Sequence, residues 1–245
     1  MLAVIGGSGL SQLANLEVEQ RKVARTPYGE PSGALIVGSI QGHKMVFLAR
    51  HGDGHTIAPH QINYRANLWA LKDLGTDRIV SVAAVGGIRA DMVPGTLLVP
   101  DQILDYTWGR AATFFDQMNA PVTHIDFTEP YSAGERRRIL DAAVACGETV
   151  VDGAVYAATQ GPRLETAAEI IRLERDGADV VGMTAMPEAA LAREIGLQYA
   201  AIAVVANTAA GRGDSARAIS LDRIAVVLDQ AMGRVRRIIE TLVVK

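Results

Sequence analysis

Apolar residues along this chain fall into short blocks that switch between two spacings. Leu2 to Ile5 form a β-like run that breaks into Gly6-Gly7-Ser8-Gly9. Two further β-like runs follow, ALIVGSI (34–40) and KMVFLA (44–49), and the second ends at Arg50. Between 61 and 75, Ile62, Leu68, Trp69, Leu71 and Leu74 recur at roughly helical spacing, with Gly75 as a stop signal. RIVSVAAVGG (78–87) is continuously apolar and ends in glycines, which predicts a buried central strand. TLLVPDQIL (96–104) predicts another strand, its Pro100 arguing for an edge or a bulge. Residues 107–131 are polar and aromatic without periodicity and read as a long loop.

The second half continues the alternation. A helix is expected from Ala133 to Cys146, then a strand over TVVDGAVYAAT (149–159), then a helix over 165–177 that stops at Gly177. ADVVGMT (178–184) reads as a strand, and PEAALAREIG (187–196) as a helix with Pro187 in its first turn and Gly196 at its end. QYAAIAVVAN (198–207) is a strand. From Ser220 to Val243, Ile224, Val227, Leu228, Ala231, Val235, Ile238 and Ile239 line one face of a long C-terminal helix.

Strands alternating with helices, without a linker or composition break, predict a single α/β domain over 1–245: three αβα layers around a mixed, largely buried sheet. Ligands of such folds gather at the carboxyl ends of strands. Gly6 to Ser8, Arg50-His51, Ala83 to Gly87, Gly182 to Thr184 and Ala206 to Thr208 all fall at strand ends, which predicts one cleft where five of them converge.

Composition narrows the class of partner. Of 245 residues, 49% are hydrophobic and 21% charged, enough for a large core. A net charge of -3 without a basic patch argues against nucleic acid. Arg136-Arg137-Arg138 opens a helical pattern and reads as a solvated face. The one cysteine, Cys146, has no partner motif and reads as a small buried or half-buried side chain. No apolar run is long enough to cross a bilayer, and the N-terminus lacks a basic flank, so a soluble, cytoplasmic protein is expected.

RHGDGHTIAPH (50–60) holds three of the five histidines beside an arginine. Three readings stay open here. His51 could be a phosphohistidine nucleophile, although Arg-His-Gly in such phosphatases normally ends the first strand. His51, His55 and His60 could hold a metal, but they lack helical i, i+4 pairing and Pro59 breaks any helix. Arg50 and His51 could cradle an anion, a bidentate fork beside a ring donor. GGSG is a plain glycine turn or an anion-binding one; it lacks the G-x-G-x-x-G spacing and the P-loop lysine. Glu165 in GPRLET is a first-turn helix residue or a site residue, and Met183 in VGMTAMPE is core or site.

Taken together, GGSGL, RHG…H, NYRANLWALK, PGTLLVPDQILD, TQGPRLET and GADVVGMTAMPEAALAREIGLQYAAIAVVAN resemble the trimeric purine nucleoside phosphorylase family, nearest its methylthioadenosine branch. The match runs in order from Ile5 into the C-terminal helix. The resemblance implies phosphorolysis: phosphate attacks C1′ of a purine nucleoside, and no metal or organic cofactor takes part. It implies a homotrimer, or a pair of trimers, and a fold of the nucleoside phosphorylase type. By resemblance, phosphate is held by Ser8, Arg50, His51, Ala83, Ala84 and Thr184, with Arg50 and His51 as a fixed cationic wall. Ala83 replaces a threonine of the branch, so one hydroxyl contact is lost. Met183 lies beside the ribose, and His124 reaches the site from a neighbouring subunit. Thr208 and Ala209 flank the base-binding Asn207. Catalytic roles fall to Asn207, against the leaving base, and to His51.

Two positions decide the base. The adenine branch carries a serine and an aspartate where this chain has Glu165 and Asn207, the pair found in inosine and guanosine phosphorylases; Ala209 stands where a second aspartate is expected. A 6-oxopurine has a donor at N1 and an acceptor at O6, which an ionised Glu165 and the Asn207 amide match. Adenine presents a lone pair at N1, and such mispairing costs roughly 1–3 kcal/mol. The 5′ end is decided separately. Inosine phosphorylases place a histidine there, whereas this chain has Ile219 and Leu221, which suit a thiomethyl group. The substrate that satisfies both ends is 5′-methylthioinosine, cleaved to hypoxanthine and 5-methylthioribose 1-phosphate. The alternatives are methylthioadenosine or general inosine and guanosine phosphorolysis, a histidine phosphatase built on His51, and a non-catalytic nucleoside-binding protein.

Overall fold

The computed structural model describes residues 1–10, 12–116 and 121–244. Apolar runs with period two become strands: β1 (Leu2–Gly6), β2 (Glu17–Lys22), β3 (Leu35–Ile40), β4 (His43–Ala49), β5 (Arg78–Gly87), β6 (Leu97–Val99), β7 (Gln102–Asp105), β8 (Val151–Asp152), β9 (Val155–Ala158), β10 (Val180–Gly182) and β11 (Gln198–Thr208). Runs with helical period become α1 (Tyr64–Asp73), α2 (Ala133–Ala145), α3 (Ala167–Arg175), α4 (Ala185–Glu194) and α5 (Leu221–Val244). Side chains start four of the helices, with Ser220 Oγ accepting from Arg223 N at 3.3 Å ahead of α5. Asn63 and Ser132 cap α1 and α2, and Thr166 with Glu169 forms a reciprocal capping box on α3.

All eleven strands join one mixed sheet. β1 pairs parallel with β4 and β5, and β5 pairs parallel with β11 along its whole length. Strand alternation divides the core. Ala3 and Ile5 of β1, Ile79 of β5, and Tyr199, Ala201 and Val205 of β11 face Leu68 and Leu71 of α1 and Leu191 of α4. The intervening residues Val4, Val80, Val82, Ile202 and Val204 face Ile139 of α2 and Leu228, Val235 and Ile239 of α5. The result is the three-layer αβα arrangement expected from the sequence, with α3 covering a smaller cluster around Ile170 and Val181.

Several expectations shift in detail. TLLVPDQIL is two strands: the chain turns at Pro100, so β6 joins β11 and β8 while β7 joins β9. TVVDGAVYAAT likewise divides at Gly153, whose φ of +88° ends β8 before β9 begins. β2 is unforeseen. It is a polar, exposed edge strand, held by antiparallel pairing with β3 rather than by an apolar face. The described residues of 107–131 contain no helix or strand, as expected of a loop; residues 117–120 of that segment lie outside the described residues.

Two irregularities prepare the cleft. β5 pairs with β1 only as far as Ser81, and on that same edge it next pairs with β10 at Gly86. The edge between them has no strand neighbour. A bulge between Val205 and Asn207 shifts the register of β11 against β5, so Asn207 lies opposite Gly86.

Candidate active site

A cleft of about 460 Å3 opens at the carboxyl ends of β1, β4, β5, β10 and β11. The five strand-end segments singled out from the sequence all contribute to its lining, through Gly7-Ser8, Arg50-His51, Ala83 to Gly86, Gly182 to Thr184, and Ala206-Asn207. Glu165, Ala209, Ile219 and Leu221 line it as well. Thr208 does not: its hydroxyl donates towards Arg212 O and Ser215 Oγ, at 3.1 Å each, and so faces the following loop. His124 is exposed on the long loop and is not among the cleft-lining residues of the single chain.

One end of the cleft is built to receive an oxyanion. Arg50 is fully buried, and its Nε and Nη2 donate to the Glu188 carboxylate at 2.7 and 2.9 Å. Nη2 also donates to Ser81 Oγ (2.6 Å), and Nη1 to Val82 O (2.9 Å). Burial works against the charge, but the Glu188 carboxylate outweighs it and holds the guanidinium pKa above its ordinary value. Of five guanidinium donors, one on Nη1 is left for the cleft. Gly7 is needed beside it, because a Cβ there would lie 2.4 Å from Val82 O and 2.9 Å from Arg50 Nη1.

Val82 O receives this bond at the unpartnered stretch of β5. By strand alternation the Ala84 N–H points to the same side as Val82 O, whereas that of Ala83 points to β11. The free backbone donor therefore belongs to Ala84, not to Ala83. Thr184 adds a buried hydroxyl. It precedes α4 without capping it and lines the cleft, beside the Tyr156 hydroxyl that accepts its backbone N–H at 3.4 Å.

His51 differs from the expected cationic wall. Burial, then the neighbouring charge of Arg50, pulls its pKa down to about 4, so the ring is neutral near pH 7. Nδ1 lies 2.8 Å from Ile57 O, which places the proton of the neutral ring on Nδ1 and leaves Nε2 as an acceptor. His55 packs against it, with ring centroids 4.2 Å apart, and its Nε2 is 3.5 Å from Ser8 Oγ. Burial and Arg50 lower the His55 pKa too. The fixed positive charge at this end is Arg50 alone. Among the described residues no three His, Cys, Asp or Glu side chains gather as metal ligands.

The opposite wall carries a carboxylate and an amide. Glu165 precedes the α3 cap and accepts from Thr159 Oγ1 at 2.7 Å through Oε1, leaving Oε2 free. Asn207 gives one amide N–H to Thr208 O at 2.7 Å and keeps one donor and one acceptor. A third region is apolar: Ile219 and Leu221 are joined by Ile224 and Leu228 of α5. The last two were read from the sequence only as a helix face.

Several contributors escaped the sequence reading. Glu188 sits in the first turn of α4, where an acidic residue is ordinary. A carboxylate in so apolar a helix is a signal that a buried cation faces it. Arg110, on the long loop, left no signal at all. It reaches Met183 O (2.8 Å) and Met186 O (2.5 Å) with Nη1, Gln160 O (2.9 Å) and Thr159 O (3.3 Å) with Nη2, and Gln160 Oε1 (3.2 Å) with Nε. It thereby ties the segment leading to Glu165 to the segment carrying Met183 and Thr184.

Comparison with known proteins identifies the family. The family model described as "Phosphorylase superfamily" matches residues 1–244. A protein of Xanthomonas campestris pv. campestris named "Probable S-methyl-5'-thioinosine phosphorylase" is 54% identical over 214 residues, 87% of this chain and 86% of that one. A "6-oxopurine nucleoside phosphorylase" of Pyrococcus furiosus is 46% identical over 215 residues, 86% of this chain and 80% of that one. Among solved structures, a methylthioadenosine phosphorylase of Schistosoma mansoni in complex with adenine superposes with a TM-score of 0.94 at 32% identity, covering 99% of this chain and 90% of that one.

Proposed function

The chain belongs to the phosphorylase superfamily, and from that premise we propose that it cleaves S-methyl-5′-thioinosine with inorganic phosphate to hypoxanthine and 5-methylthioribose 1-phosphate. The observation that carries this reading is the pairing of opposite walls in one cleft. Glu165 and Asn207 offer the complement of a 6-oxopurine, while Ile219, Leu221, Ile224 and Leu228 offer a thiomethyl group its surroundings.

Phosphate lies against Ser8, Arg50, His51, the Ala84 N–H and Thr184, with the monoprotonated dianion giving its O–H to His51 Nε2. One phosphate oxygen forms a bond to C1′ as the C1′–N9 bond breaks, and that electron pair passes to the purine. The free amide N–H of Asn207 donates to O6, its oxygen accepts from N7–H, and Glu165 accepts from N1–H. The proton originally on phosphate ends on the purine. Catalysis is then alignment of the phosphate and stabilisation of a leaving base that gathers negative charge. Phosphate is a co-substrate, and the step uses no metal or organic cofactor.

The full site is read as belonging to a homotrimer in the cytoplasm, with His124 lent by a neighbouring subunit. No helix among the described residues is long and apolar enough to cross a membrane. Sedimentation of the protein at about three times its 26.0 kDa chain mass tests the assembly. The reaction is tested by measuring kcat/KM with phosphate on methylthioinosine, methylthioadenosine, inosine and adenosine. Methylthioinosine is expected to be used best, by at least tenfold over methylthioadenosine, for one mispaired buried polar group. The double variant Glu165→Ser with Asn207→Asp should move the preference towards adenine. An adenine preference in the unaltered protein overturns the base assignment.

A further inference from the structure

Glu165 selects a purine only if one of its carboxylate oxygens is held towards the base. Its setting provides that hold. Thr159 closes β9, and its backbone N–H donates to Gly182 O at 2.8 Å, which fixes the residue against the end of β10. Its single hydroxyl proton has two acceptors within reach, Glu165 Oε1 at 2.7 Å and Gly182 O at 3.2 Å. The shorter bond is to the carboxylate. Thr159 lines a second cavity of about 300 Å3 on the outer side of Glu165, not the cleft, so it does not touch the substrate.

From this geometry we infer that Thr159 is a specificity-determining positioning residue: by donating to Oε1 it occupies that oxygen and turns Oε2 to the base. A charge-assisted hydrogen bond fixes the orientation of the carboxylate that accepts it. A 6-oxopurine, with a proton on N1, gains from an Oε2 held towards it. A 6-aminopurine presents a lone pair at N1, which faces the lone pairs of that same oxygen. Arg163 lies near enough for its charge to act on Glu165, but among the described residues the charged groups around the second cavity direct their hydrogen bonds elsewhere. Arg163 is bidentate on Glu169, at 2.8 and 2.7 Å, and Arg172 lies over the Tyr106 ring. Arg110 contacts the Thr159 carbonyl and Gln160 rather than Glu165. Across the cleft, Arg50 is engaged by Glu188.

The inference rests on the 6-oxopurine reading above, and the two are separable by experiment. Thr159→Val keeps the shape and removes the donor; Thr159→Ser keeps the donor. With Thr159→Val, kcat/KM for methylthioinosine should fall about tenfold, and its ratio to that for methylthioadenosine should fall with it. Thr159→Ser should restore both. The phosphate KM should stay unchanged in both variants, whereas general damage to the fold would move it. If the unaltered protein prefers methylthioinosine but Thr159→Val keeps the same preference, or Thr159→Ser loses as much as Val, the role of Thr159 is overturned and the base reading stands. If the unaltered protein prefers adenine nucleosides, the base reading fails, whatever Thr159 does.

Discussion

His51 shows how far a residue's chemistry depends on its setting. The motif Arg-His-Gly suggests cationic density, yet the arginine beside it and the burial of the ring keep the histidine neutral, with a pKa near 4. An unfolded chain would titrate this ring near the ordinary value of about 6.5. Between those values the unfolded state binds a proton that the folded state refuses, so stability rises with pH across that window and is lost as pH falls from about 6.5 towards 4. His55, also lowered, acts in the same direction. Thermal unfolding followed at successive pH values should show this slope, and His51→Asn should flatten it; an unchanged slope would refute the neutral assignment. Arg50, Glu165 and Asn207 were legible in the sequence because their side chains belong to motifs. The neutrality of His51 and the Thr159–Glu165 bond were not, since the first rests chiefly on burial and the second on how the turn between the two residues folds.

Among the elements, the strands and helices with clear periodicity were readable to within a few residues, β5 and α5 above all. What escaped has physical reasons. β2 has no buried face, so no apolar alternation marks it. Pro100 and Gly153 each cut one apolar run into two strands with different sheet neighbours. The role of the loop after β7 was invisible, because Arg110 binds carbonyl oxygens, which every residue carries. That guanidinium bridges the segments that follow the neighbouring strands β9 and β10, and hydrogen bonds to charged groups contribute about 1.5–3 kcal/mol each. Arg110→Ala should lower stability in urea by about 3 kcal/mol or more and reduce kcat/KM on every nucleoside alike. Arg110→Lys should recover little, since an ammonium is a point donor and cannot fork across both segments. Full activity in Arg110→Ala would show that the two segments hold their places unaided.

At the scale of the whole molecule, a modest net charge of -3 surrounds a cleft whose one fixed cation is already matched. Arg50 faces Glu188 at 2.7 Å, and Tyr199 donates to the same carboxylate at 2.8 Å, so the pair is internally satisfied. Removing one member of such a buried pair costs about 3–5 kcal/mol, which makes the arrangement rigid whether or not a ligand is present. An exposed cluster of arginines would draw anions from a distance and weaken as salt screens it, over a Debye length of about 10 Å at 0.1 M. A cancelled charge exerts little pull at that range. The phosphate KM should therefore stay nearly constant from low salt to about 0.3 M sodium chloride, a multiple of the ionic strength at which surface attraction is already screened; a steep rise would mean that long-range attraction governs capture. With phosphate bound as proposed, such a site discriminates by fit: a tetrahedral oxyanion that meets the Arg50 N–H, the Ala84 amide and the Thr184 hydroxyl together would be retained, and a chloride ion, negative but without that shape, would not.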